Sequence, residues 1–147
     1  MKILNEIKFT LLADSRNEGL SRAVVSAFAA QLDPSVSELG EIRTAVSEAV
    51  TNCIVHAYRG IAGGRIEITV RALDGGVIYI KIRDKGCGIP DVKKAMEPMF
   101  TTAPEEERAG LGFAVMESFM DKVTVRSVPD KGTAVIMTRK IAGRQEP

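Results

Sequence analysis

Three stretches of this chain set residue types at spacings that could do chemistry. The first holds Glu48 and Asn52, four residues apart in a segment of helical periodicity, so that both side chains leave one face; His56 follows one turn later. A carboxylate beside a carboxamide can serve as a general base and as an oxygen ligand for a hard cation such as Mg²⁺. The pair also reads as a solvated polar face with an i,i+4 contact, roughly opposite the apolar stripe of Val46, Val50 and Cys53.

The second stretch, Asp84-Lys85-Gly86-Cys87-Gly88-Ile89-Pro90, stands where an alternating strand ends. Ile78, Ile80 and Ile82 share one face, and strict alternation carries Asp84 onto it, under whatever layer covers the sheet. A buried aspartate needs a hydrogen-bonding partner, and a purine amino group would serve; Gly86 and Gly88 would let a planar ligand approach the backbone. A tight turn capped by Asp is the alternative.

The third is Gly110-Leu111-Gly112-Phe113, expected to open a helix, where free N–H groups and the positive end of the helix dipole favour phosphate. Thr101, Thr102 and Arg108 precede it. A G-x-G at a helix start is common and by itself says little.

The elements that must position these residues follow from periodicity. Ile7, Phe9 and Leu11 alternate as a half-buried strand, and Leu20, Val24, Ala27 and Phe28 form one face of a helix from Arg16 to about Gln31. Ser35 with Glu38 marks the start of a second helix, which carries Leu39, Ile42, Val46, Val50, Cys53 and Ile54 inward and runs to about Tyr58. A hairpin turns at Asp74-Gly75-Gly76. Residues 85–110 read as a long loop with at most one short helix near Val92–Glu97, and strands near Val123–Ser127 and Thr133–Arg139 close the chain. This order predicts an α+β two-layer sandwich, helices on one face of a mixed, mostly antiparallel sheet. A single domain over residues 1–142 with a disordered tail at 143–147 is expected.

The 147 residues are 45% hydrophobic and 27% charged with a formal charge of +1, a globular composition with no overall attraction to nucleic acid or membrane. No apolar run has membrane-spanning length and the N-terminus lacks a secretory pattern, so a cytoplasmic protein is expected. Cys53 and Cys87 lack metal-ligand spacing and read as free thiols filling space.

In their order and spacing the three stretches resemble the nucleotide site shared by gyrase B, heat-shock chaperone ATPases, histidine kinases and mismatch-repair ATPases, whose common domain is the Bergerat ATP-binding fold. The resemblance implies that Glu48 is the general base, Asn52 the Mg²⁺ ligand and Asp84 the carboxylate that binds the adenine amine. Gly86 and Gly88 would border the base; Gly110, Leu111, Gly112 and Phe113 would wrap the phosphates, with Thr101, Thr102 and Arg108 in the lid, Thr133 near the base and His56 on the site helix.

A dimerisation helix with a phosphorylatable histidine and a transducer domain are both lacking, so a stand-alone domain is expected. Through SEAVTNCIVHAY, RDKGCGIPDVKKAMEPMFTT, ERAGLGFAVMESFMDKV and DKGT, the chain resembles the serine-kinase anti-sigma factors, and among them the sporulation branch that acts on sigma F. The likeness covers nearly the whole chain. It implies a homodimer that binds ATP or ADP with Mg²⁺, keeps a sigma factor from RNA polymerase and phosphorylates a serine of an anti-anti-sigma protein. Arg22 matches a partner-contact position in that family, and it reads otherwise as an ordinary surface arginine. A stress-response anti-sigma kinase, an ATPase acting on water, and a binding protein that uses ATP without transfer are the rival readings.

Overall fold

The computed structural model describes residues 1–59, 62–89, 91–96 and 107–143. Strand β1 (Ile3–Leu12) leads into helix α1 (Arg16–Ala29), a 3-10 turn (Ala30–Leu32), helix α2 (Val36–Asn52) and a π-helical turn (Cys53–Ala57). The hairpin β2 (Arg65–Leu73) and β3 (Val77–Asp84) follows, then the short α3 (Val92–Ala95), α4 (Glu107–Phe119) and a second hairpin of β4 (Lys122–Val128) and β5 (Gly132–Lys140).

The five strands lie in the order β1-β2-β3-β5-β4, and all four pairings are antiparallel. The expected sandwich is present, but the sheet is antiparallel rather than mixed among the described residues. The reason is topological. The passage through α1 and α2 returns β2 antiparallel beside β1, while α3 and α4 carry the chain from β3 to the far edge, so β5 enters beside β3 from the opposite end.

Alternation then decides what is buried. Ile66, Ile68 and Val70 on β2, Ile78, Ile80 and Ile82 on β3, and Val135 and Met137 on β5 all lie within the core under the helices. Helix α2 packs between α1 and α4. Its start is a full capping box: Ser35 Oγ accepts from Glu38 N at 3.1 Å, and the Glu38 carboxylate accepts from Ser35 N at 2.9 Å. The same carboxylate accepts from Ala142 N at 2.7 Å and Gly143 N at 3.1 Å, tying the end of the last strand to the start of α2.

Helix α1 differs from expectation. Its buried stripe is Ser21, Val25, Phe28 and Ala29, whereas Leu20 is 52% exposed and Ala27 faces solvent. The stripe is rotated because a serine can occupy a core position once its hydroxyl is satisfied, and Ser21 Oγ donates to Glu18 O at 2.7 Å. No helix among the described residues is long and apolar enough to cross a membrane.

Candidate functional site

Glu48 and Asn52 leave α2 on the side that α4 covers. A Cβ placed on Gly112 would lie 3.1 Å from Glu48 Oε2 and 3.6 Å from both amide atoms of Asn52, so the three residues meet. The face that also reads as solvated is therefore half-buried between two helices, and the glycine is what lets α4 come so close. Asn52 Nδ2 is buried without a hydrogen-bond partner among the described residues. An orphaned amide of this kind is costly unless something else meets it.

One residue further on, Cys53 starts the π turn and reaches the end of β3. Its Sγ donates to Asp84 Oδ2 at 3.5 Å, while Asp84 Oδ1 accepts from Gly86 N at 2.9 Å and Thr133 N at 3.2 Å. Asp84 is 5% exposed, facing the helices as alternation demands. Burial pushes its carboxyl above the usual range, against the pull of these donors. Burial, then the nearby Asp84 charge, drives the Cys53 thiol well above its ordinary value, so it keeps its proton.

Thr133, paired with Asp84 across β3 and β5, lies at the same point; its hydroxyl is 2.8 Å from Ser127 Oγ. Ser127 in turn accepts from Ile89 N at 2.7 Å and so pins the Gly88-Ile89 segment. A cavity of about 530 Å³ opens at this end of the sheet between α3, β3, β4 and β5 and is lined by Asp84, Ser127 and Thr133, within the size range of small-molecule sites. Glu48, Asn52 and Gly112 are not among its lining residues; they are linked to it through Cys53, which follows Asn52 and whose thiol reaches Asp84.

Gly86 and Gly88 each have a packing reason to lack a side chain. A Cβ on Gly86 would lie 2.2 Å from the Ala57 carbonyl oxygen, and one on Gly88, whose φ is +75°, would lie 2.5 Å from the Val128 carbonyl oxygen. On the side where a side chain would stand, each glycine meets protein backbone. Cys87 N donates to Ala57 O at 2.9 Å, which locks the loop after β3 onto the π turn.

His56 sits in that π turn, and the i→i+5 pattern breaks the i,i+4 row that would align it with Asn52. Burial, with the Arg59 charge, lowers its pKa, so the ring is neutral at pH 7. Helix α4 begins at Glu107, three residues before Gly110, because Glu, Arg and Ala are strong helix formers. Arg108, Gly110, Leu111 and Gly112 therefore lie inside α4 instead of ahead of it, and the N–H groups of Leu111 and Gly112 fall within the helical ladder. Phe113 is buried in the core. Thr101 and Thr102 lie outside the described residues, as does the tail from residue 144. Arg22, on α1, is half-exposed and lies 3.5 Å from Glu18 and 3.3 Å from Ser47 Oγ, the neighbour of Glu48.

The residues that periodicity missed are Cys53, Ser127 and Tyr58. Tyr58 donates its hydroxyl to Arg65 O and accepts from Lys85 N, both at 2.6 Å, with its ring against Gly64. Both cysteines are free thiols.

The donor set fits a nucleotide with Mg²⁺. The Asn52 amide, whose Nδ2 has no partner among the described residues, would supply a donor for phosphate and an oxygen ligand for the cation, and no group of three His, Cys, Asp or Glu side chains that could hold a metal occurs among the described residues. Magnesium is commonly held by one or two protein ligands together with substrate phosphates.

The profile of the histidine kinase-like ATPase domain matches residues 11–139. The anti-sigma F factor of Caldanaerobacter subterraneus subsp. tengcongensis is 54% identical over 143 residues, covering 96% of this chain and 97% of the relative. That of Thermoanaerobacter sp. (strain X514) is 52% identical over 142 residues, with the same shares, and that of Geobacillus kaustophilus is 49% identical over 138 residues, covering 94% of each.

Among solved structures, the RsbU and RsbW domains of a Mycobacterium tuberculosis protein superpose with a TM-score of 0.68 at 19% identity, over 93% of this chain and 32% of that longer one. The mycobacterial sensor histidine kinase MprB gives a TM-score of 0.59 at 16% identity, over 94% and 100%. At these identities the structures bear on the fold.

Proposed function

Since the chain belongs to the histidine kinase-like ATPases, and within them to the anti-sigma F factor family, we propose that it binds ATP, phosphorylates a serine of an anti-anti-sigma protein and holds sigma F away from RNA polymerase. The observation that carries the kinase half is the meeting of Glu48 and the orphaned Asn52 amide over Gly112, one residue from the contact of Cys53 with Asp84. It sets a candidate base and phosphate ligand next to a candidate base-recognition carboxylate.

Each residue then has a role. Asp84 accepts the adenine amine, held in place by Gly86 N and Thr133 N. Asn52 would donate to phosphate and supply an oxygen ligand to Mg²⁺, which when bound neutralises charge on the phosphates. Glu48 takes the proton from the incoming serine hydroxyl; positioning and charge neutralisation supply most of the rate. Gly112 contributes through its missing side chain. Thr101 and Thr102 belong to the lid, Arg108 follows it in the first turn of α4, and His56 takes no direct part in the chemistry.

Arg22 is the partner contact, its guanidinium held near Glu18 and Ser47 beside the catalytic helix turn. A homodimer in the cytoplasm is the expected working form.

The test is transfer of labelled phosphate from ATP to the anti-anti-sigma protein. Glu48→Gln should keep nucleotide affinity and lose roughly 10²–10⁴-fold in rate, the range for a general base. Transfer by Glu48→Gln at the normal rate would remove Glu48 from that role. Phosphate release unaffected by adding the acceptor protein would instead favour hydrolysis by water.

A further inference from the structure

Cys53 looks in the sequence like a small apolar filler, but its surroundings are not those of a filler. It is 4% exposed and follows directly on Asn52, and its Sγ points to Asp84 Oδ2 at 3.5 Å. The two oxygens of Asp84 are treated unequally. Oδ1 takes two backbone donors, from the loop after β3 and from β5, whereas the thiol is the only donor to Oδ2 among the described contacts. A carboxylate offers about four lone-pair sites. A thiol is a weak donor occupying one of them, so Oδ2 keeps the capacity to accept from a ligand.

We propose that Cys53 is a positioning residue for base recognition: its thiol fixes the rotation of the Asp84 carboxyl group so that Oδ2 is presented to the exocyclic amine of adenine. The inference rests on the reading of Asp84 as the base-recognition carboxylate. The carboxyl torsion of an aspartate is a broad two-fold well, so two donors on Oδ1 leave the group free to rock about that oxygen. The thiol limits the rocking. Alanine or valine would fill the same apolar space and provide no donor, and this separates positioning from packing. The π turn contributes by starting at this residue and joining Cys53 to the Asn52 amide in one backbone step.

The experiment is equilibrium binding, with Mg²⁺, of ADP and of purine riboside 5′-diphosphate, the same nucleotide without the exocyclic amine, to the wild type and to Cys53→Ala, Cys53→Ser and Asp84→Asn. A thermal melt of each variant checks its fold. Loss of one orienting hydrogen bond should lower the ADP affinity of Cys53→Ala by about fivefold to tenfold. Its affinity for the amine-free nucleotide should stay within about twofold, and Cys53→Ser, which retains a donor, should recover ADP binding.

Equal losses for both nucleotides in Cys53→Ala, or a Cys53→Ser protein no better than Cys53→Ala, would make Cys53 a packing residue and overturn the proposal. An Asp84→Asn protein that binds ADP normally would overturn the base reading itself. Weak ADP binding by Asp84→Asn with normal binding by Cys53→Ala would sink the Cys53 inference alone.

Discussion

Adding one methyl group at Gly112 separates stability from catalysis. The residue lies within α4, where alanine is favoured over glycine by about 0.8–1.0 kcal/mol. If nothing opposed the methyl group, Gly112→Ala would raise the melting temperature by about 2–4 °C for a domain of this size. The new Cβ would, however, sit 3.1 Å from Glu48 Oε2 and 3.6 Å from the Asn52 amide.

The first contact is tighter than an ordinary carbon–oxygen approach, so Glu48 must yield by a few tenths of an ångström. A side-chain terminus can do that at small cost. A misplacement of about 1 Å costs on the order of 10²-fold in rate, so a shift of this size should lower phosphoryl transfer by roughly threefold to tenfold while the fold is kept or strengthened. Differential scanning fluorimetry and labelled-phosphate transfer to the anti-anti-sigma protein read the two effects separately. A variant that transfers at the wild-type rate would refute the packing of Gly112 on Glu48. One that melts well below wild type would refute its place inside the helix.

Two further substitutions test the scaffold. Gly86→Ala would set a Cβ 2.2 Å from the Ala57 carbonyl oxygen, a backbone atom that cannot swing aside, so urea denaturation should show a loss of roughly 3 kcal/mol, and an unchanged midpoint would contradict the close approach. Glu38→Gln should cost roughly 2 kcal/mol at pH 7, because the carboxylate accepts from Ser35, Ala142 and Gly143 N–H groups and an amide nitrogen cannot accept. Burial raises the Glu38 pKa, but these bonds outweigh it and the net shift is below the ordinary 4.5. Its stabilisation is therefore fully present above about pH 4.5 and fades as pH falls through the lower folded value, so the gap between wild type and variant should narrow in acid. A gap that is as wide in acid as at neutral pH would show that ionisation of Glu38 is not involved.

The hairpin of β2 and β3 and the inward aim of Asp84 were legible because a period of two leaves little choice: Ile78, Ile80, Ile82 and Asp84 must share a face. The start of α2 was legible for a local reason as well, since Ser35 and Glu38 satisfy each other without help from the rest of the chain. The family, too, could be read from short motifs whose order survives in the sequence.

Where a local bond or turn overrode the plain period, or a residue's neighbour was distant in the chain, the sequence misled or was silent. Ser21 displaced the buried stripe of α1 because a local hydrogen bond let a polar group into the core. Gly86 and Gly88, read as room beside a ligand, also make room for the backbones of Ala57 and Val128, which no spacing signals. The π turn moved His56 off the row that α-helical spacing assigns, and only in three dimensions does the Cys53 thiol reach Asp84, 31 residues away. Periodicity reports which way a side chain leaves its own element. What it meets there depends on how separate elements pack, and that is decided by the tertiary structure.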